Sequence, residues 1–305
     1  MERAIKMSDA ELWFRELGRP ANYDYAPSMK LVKKYSFPAC DAELYLQANG
    51  PGTFQRVVKA FPKNFTGRLP AVAVPFYFPE AMLGWELETG EPLPRYDGVS
   101  IMLDLVKRGY MTASADAAHL TYLKTDRDRR DFKRWHDFGA AMEAEHPEWS
   151  GIGKLTADTR LLVDSLAEDP RVDASRIGIT GHSLGGKMAF YTGCLDSRIR
   201  VILASDFGMI WCRTNWCDPW YWGRKLDHLQ ALGMDHAGLL GCAAPKPFCV
   251  LAGQADNMET LVMMKRTPGY EPDDERLAII NHAQGHRPPP EYLRQGYDFL
   301  DRYLK

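Results

Sequence analysis
Several features are missing from this chain, and each absence excludes a class of function. Charge of one sign is missing: 38 Lys and Arg stand against 40 Asp and Glu, a formal net charge of -2. That balance removes the usual argument for a nucleic acid or an anionic membrane surface as partner. No segment approaches the apolar length of a membrane span. The opening residues Met1 to Asp9 are charged and lack the apolar core of a secretory signal, so the sequence reads as cytoplasmic. Paired C-x-x-C knuckles are absent. The six cysteines, Cys40, Cys194, Cys212, Cys217, Cys242 and Cys249, are scattered and read as reduced thiols packed as small apolar groups. Cys212 and Cys217 share one loop and are the pair available for a disulfide in an exported protein. Among the eight histidines there is no H-E-x-x-H, and the pair four apart, His282 and His286, encloses a loop-like Ala283-Gln284-Gly285. No metal or organic cofactor is expected. Repeats, low-complexity tracts and composition breaks are also missing, which favours one domain over 1–305, with 1–65 as an N-terminal extension and entry strands.

What is present alternates as a doubly wound, mostly parallel α/β sheet requires. An amphipathic segment at Ala10 to Leu17 precedes strand-like stretches at Lys30 to Phe37, Ala42 to Leu46 and Gln55 to Phe61, an antiparallel entry. A buried strand, Leu69 to Val74, leads through a long loop to a helix at about Val99 to Arg108 and a strand at Tyr110 to Ala115. A polar helical stretch from Asp126 to Glu145 precedes a periodic helix, Gly153 to Leu166, with Leu155, Leu161, Leu162 and Leu166 on one face. Later strands are expected at Val201 to Ala204, Phe248 to Leu251 and Leu277 to Ile280. An amphipathic helix, Pro290 to Tyr303, closes the chain.

The most informative stretch is Gly181-His182-Ser183-Leu184-Gly185-Gly186, set between the β-branched run Arg176 to Thr180 and the helical pattern Lys187 to Tyr191. Strand, sharp turn and helix are the context that G-x-S-x-G needs to act as a nucleophile elbow, holding a serine hydroxyl above the sheet edge. Ser183 is therefore the candidate nucleophile. A serine hydroxyl needs a base and an acid that orients the base. Asp256, after the strand Phe248 to Ala252, is the leading acid, with helix N-capping as its alternative role. Asp206, at the end of the strand after the elbow, is the rival, although Gly208 and an aromatic loop follow at once and favour loop anchoring. His286 is the leading base. His282 is the runner-up, expected instead to pack under the loop or help position it.

With these residues in place, the chain resembles the α/β-hydrolases, and more narrowly the branch holding dienelactone hydrolases and acetyl xylan esterases. The resemblance runs from about Leu69 to the C-terminus. It rests on Asp104 to Tyr110, the run Val172 to Gly178, the elbow and the late Asp and His segments. Dienelactone hydrolases use a cysteine nucleophile, so Ser183 favours the esterase side. The resemblance implies an α/β-hydrolase fold and the order Ser, Asp, His. It also implies an oxyanion hole from the amide of Leu184 and one from the loop after Val74. Relatives often carry His-Gly-x-Gly in that loop, whereas this chain has Phe76-Tyr77-Phe78-Pro79, leaving Tyr77 or Phe78 as donor. Residues 207–245 read as an aromatic-rich cap, with Trp211, Trp216, Trp220 and Trp222 as an aromatic wall for substrate, the alternative being rings that fill core. His182 is placed on the floor beside the nucleophile. Glu80 to Asp97, with Trp85, reads as a second insertion that forms the opposite rim or a solvated loop.

The implied activity is hydrolysis of a small acyl ester, acetyl above all, on a carbohydrate, with a small-molecule or oligosaccharide ester as partner. Feruloyl or aryl ester hydrolysis, acyl transfer and serine peptidase activity use the same fold, and a catalytically silent binding protein is the non-enzyme alternative.

Overall fold
The computed structural model describes residues 9–19, 28–50, 52–93, 100–123, 131–271 and 273–305. The expected start of one helix at Val99, the stretch 126–130 of another and the end of the second insertion lie outside the described residues.

Nine strands form one sheet: β1 (Met29–Ser36), β2 (Asp41–Gly50), β3 (Thr53–Phe61), β4 (Leu69–Ala73), β5 (Met111–Ala115), β6 (Val172–His182), β7 (Ile199–Ser205), β8 (Phe248–Ala252) and β9 (Leu277–Asn281). Their order is β1-β2-β3-β5-β4-β6-β7-β8-β9. The first three strands pair antiparallel and β3 meets β5 antiparallel, while the remaining pairings are parallel. The helices are α1 (Asp9–Leu17), α2 (Pro79–Leu83), α3 (Ile101–Lys107), α4 (Ala118–Thr121), α5 (Phe132–Glu145), α6 (Gly151–Ala167), α7 (Leu184–Leu195), α8 (Lys225–Ala231), α9 (His236–Gly241), α10 (Met258–Met264) and α11 (Pro290–Leu304). The antiparallel entry, the parallel strands and the long helices match the sequence pattern.

Parallel strands buried on both faces read as continuous apolar runs, and β4 is wholly buried. Its residues still alternate by face. Ala71 and Ala73 join the core made with Leu155 and Leu162 of α6 and Ala189 and Phe190 of α7. Val72 packs with Leu105 of α3 and Leu293 and Leu300 of α11 on the other side. The period of two therefore divides each strand between two cores.

The short helices α2, α4, α8 and α9 fall where the pattern was read as loop or as insertion, whereas α3 and α10 fall where a helix was expected. With at most two turns, those four develop no recognisable apolar period. Local chemistry still sets the short helices. Pro79 opens α2, where its missing N–H costs nothing. Asn257 caps α10 in a reciprocal box with Thr260, so the N-cap is Asn257 and not Asp256.

Candidate active site
Ser183 sits between β6 and α7 with φ 56° and ψ -115°, a left-handed backbone that a non-glycine residue adopts only under local constraint. The flanking glycines explain how the chain tolerates it. A Cβ on Gly181 would lie 2.3 Å from the backbone of Gly185, and one on Gly185 would lie 2.2 Å from the carbonyl oxygen of Pro75. A Cβ on Gly186 would meet Phe207 at 2.8 Å. The turn therefore folds against itself and against the segment leaving β4, as an elbow requires.

His286 Nε2 lies 2.8 Å from Ser183 Oγ, and His286 Nδ1 lies 2.6 Å from Asp206 Oδ2. The carboxylate accepts, so Nδ1 carries the proton and Nε2 is left to accept from the serine hydroxyl. Burial alone would raise the Asp206 pKa, but the hydrogen bond from His286 and those from backbone amides hold it below the usual carboxylate value. Its second oxygen accepts from the amides of Gly253, Ala255 and Asp256. The loop of His286 reaches across the end of β8 because position 253 is glycine: a Cβ there would lie 2.2 Å from the Gly285 carbonyl oxygen and 2.5 Å from the His282 ring.

The carboxylate on His286 is thus Asp206, where the sequence favoured Asp256. Asp256 is buried and turned toward the neighbouring loop. Its oxygens accept from the amides of Gly208 and Met209 and from Thr260 Oγ1. Burial raises its pKa despite those bonds. Each aspartate holds the other's loop, and β7 and β8 are adjacent, so both stand at plausible strand ends. What separates them is reach: Asp206 directly follows β7, whereas the turn 253–256 carries Asp256 back under that loop. His282 is buried beneath the loop, its Nδ1 accepting from the amide of Gln284, in the positioning place expected for it.

His182 is fully buried, its Nδ1 3.1 Å from Ser205 Oγ and its ring centroid 4.6 Å from that of His286. Burial drives its pKa down to about 3, so it is a neutral floor under the base and has no face open to substrate. Leu184 is the first residue of α7, where backbone amides have no partner within the helix. Tyr77 and Phe78 lie in the segment that touches the elbow through Pro75. The Tyr77 carbonyl accepts from the amide of Ala117, and Phe78 is buried at the N-cap of α2.

The tryptophans depart from the aromatic wall. Trp216, Trp220 and Trp222 are buried in the core, and only Trp211 is partly open. Trp216 Nε1 donates to the Gly208 carbonyl at 2.7 Å. Trp222 Nε1 donates to Tyr191 Oη, which faces His236 Nε2 at 2.7 Å, while His236 Nδ1 meets the Met209 carbonyl. Large rings with satisfied N–H groups fill interior, and here they fasten the loop that carries Asp206. Cys212 and Cys217 are exposed free thiols.

Sequence reasoning passed over Lys187, one turn beyond the nucleophile. Its ammonium is buried, 4.1 Å from the ring centroids of both Trp216 and Tyr221, and donates to Asn215 Oδ1 at 3.0 Å and Thr214 Oγ1 at 3.2 Å. Burial lowers its pKa to about 7. The available signal was a lone charged residue in an otherwise uncharged, largely apolar helix.

Sheet order, elbow and the Ser183, His286 and Asp206 constellation at strand ends define the class: the chain has the α/β-hydrolase fold. Within that fold, residues 150–215 match the family model described as glucuronyl esterase, fungi. A glucuronoyl esterase from Solibacter usitatus superposes with a TM-score of 0.69 at 13% identity, over 97% of this chain and 91% of that one. An acetyl xylan esterase from Paenibacillus sp. R4 gives 0.64 at 18% identity, over 99% and 97%. A CE15 glucuronoyl esterase from Teredinibacter turnerae T7901 gives 0.65 at 18%, over 95% and 82%. No curated protein sequence matches the chain. Among the described residues no helix is long and apolar enough to cross a membrane, and no group of three or more His, Cys, Asp or Glu is placed to hold a metal ion.

Proposed function
We propose that the chain is a serine carboxylic-ester hydrolase acting on a carbohydrate ester. The reading is carried by the unbroken line of hydrogen bonds from Ser183 Oγ through His286 to Asp206. In this mechanism Ser183 attacks the ester carbonyl while His286 takes its proton and returns it to the leaving alcohol. Asp206 holds the imidazole in the required tautomer and stabilises its cation. The amide of Leu184, aided by the positive end of α7, and the amide of Tyr77 or Phe78 stabilise the oxyanion. Water then cleaves the acyl-enzyme by the same route, and His286 returns the proton to Ser183.

Two placements of the sugar are compatible with this chemistry. Similarity to acetyl xylan esterases supports the sugar as the alcohol, with acetyl as the acyl group. Similarity to glucuronoyl esterases supports the sugar acid as the acyl half. Acetate release from acetylated xylo-oligosaccharide and methanol release from a methyl glucuronate ester, each with wild type and Ser183→Ala, test the proposal. Release by wild type alone in one assay selects that placement. Release in neither, with a purified folded protein, removes the carbohydrate-ester reading.

A further inference from the structure
Outside the triad, a cluster of two buried carboxylates around a partly buried arginine sits at the same end of the sheet and has no part in the mechanism above. Arg56 on β3 makes a bidentate pair with Asp116, Nε and Nη2 each 2.8 Å from a carboxylate oxygen. The same guanidinium reaches Glu80 in the first turn of α2, with Nη1 at 2.7 Å and Nη2 at 3.3 Å. Glu80 is fully buried and Asp116 nearly so. The Asp116 amide also donates to the Arg56 carbonyl, and the next amide, Ala117, donates to the Tyr77 carbonyl.

These contacts all converge on one segment. Residues 75–78 leave β4, pass over the elbow and enter α2. Pro75 packs its carbonyl oxygen against Gly185, Tyr77 is held by Ala117, and Glu80 ends the segment in the grip of Arg56. Two of these three contacts therefore lead back to Arg56, one directly through Glu80 and one through Asp116 and the neighbouring Ala117, while the third rests on Gly185. The second oxyanion donor is expected from this segment, and an oxyanion hole works only if its donors are aimed before charge develops. A lysine could supply the charge but not two planar forks.

We propose that Arg56 is a positioning residue for the oxyanion loop, clamping Glu80 and Asp116 so that the amides of Tyr77 and Phe78 keep their aim at the carbonyl attacked by Ser183. This rests on the hydrolase reading above. The group touches no reacting atom, and its effect belongs to the transition state and not to substrate binding.

The test compares wild type, Arg56→Lys, Glu80→Gln and the triple change Arg56→Met, Glu80→Gln, Asp116→Asn, which removes the charges together and leaves none unpaired. Sites are counted with a fluorophosphonate, so that kcat refers to folded, reactive protein. Three quantities are read: kcat and KM on p-nitrophenyl acetate, Tm, and the inhibition constant of phenylboronic acid, which forms a tetrahedral adduct on the serine. The expected result is kcat lower by roughly 10- to 100-fold with KM within about twofold, and boronate affinity weakened in parallel with kcat/KM. A purely structural cluster would lower Tm while leaving counted kcat and boronate affinity within about twofold of wild type, and that result overturns the assignment. If Arg56→Lys does not fold, Glu80→Gln, which loosens one arm only, decides by the same criteria. A wild type that neither turns over nor reacts with the probe overturns the hydrolase reading and this assignment with it. Turnover by wild type matched by every variant overturns the assignment alone.

Discussion
Ser183, His286 and Asp206 differ from their neighbours in the hydrogen bonds they leave for chemistry. On the proposed mechanism, Ser183→Ala and His286→Ala lower kcat by about 10³-fold or more. Asp206→Asn, which disturbs the tautomer of His286, costs roughly 10²- to 10⁴-fold in the same ester assay. Asp256→Asn gives the opposite balance, a lowered Tm with kcat reduced less than about tenfold, because its oxygens hold the amides of Gly208 and Met209 and not the imidazole. If counted kcat falls further in Asp256→Asn than in Asp206→Asn, the acid is misassigned. Lys187 carries a prediction of its own. Its folded pKa of about 7 lies below the 10.5 of a free lysine, so between those values the unfolded chain binds more protons and stability rises with pH. Lys187→Met deletes that dependence. The gain in Tm of Lys187→Met over wild type is expected to be larger at pH 6 than at pH 9.5, and an equal difference at both would show that the amine is not held against its charge.

Among the elements, those visible in the sequence carry a periodic apolar face long enough to count, such as α6, α11 and the buried parallel strands. The elbow was legible for a different reason: its glycines answer to contacts so close that no other residue fits. Gly185→Ala is expected to cost about 3 kcal/mol or more, since its Cβ would enter the Pro75 carbonyl. Gly67→Ala, at φ 70° with open space around it, carries only the backbone cost of about 1 kcal/mol. Urea unfolding of the two variants checks the ranking. The choice of acid was not legible, because Asp206 and Asp256 both follow strands that run side by side, and which carboxylate meets His286 depends on how the turn 253–256 folds back. The tryptophans misled for a related reason: a sequence places them near the site without saying which way the rings face.

For the whole molecule, the buried neutral histidines bear on acid stability. Burial lowers both His182 and His236 to about 3 from a free value of 6.5. Between those limits the unfolded chain binds more protons, so stability is present above pH 6.5 and is lost as the pH falls toward 3. Two such groups together give a slope of about 2.7 kcal/mol per pH unit in the middle of that window. Urea unfolding at pH 4.5, 5.5 and 7.5 reads it directly, and stability that stays flat from 7.5 to 4.5 would mean that both imidazoles find water in the folded state. The outer strand β1 bears on solubility. It is mostly exposed, carries Lys30, Lys33 and Lys34 and has a register shift between Leu31 and Lys33, devices that discourage edge-to-edge pairing. Replacing Lys30 and Lys33 with valine should raise light scattering at high concentration without changing kcat. The reciprocal grip of the two aspartates constrains anyone who would redesign this protein. The loops after β7 and β8 are interlocked, so neither can be grafted, lengthened or randomised alone, and a library aimed at new substrates must carry both as one cassette or leave both untouched.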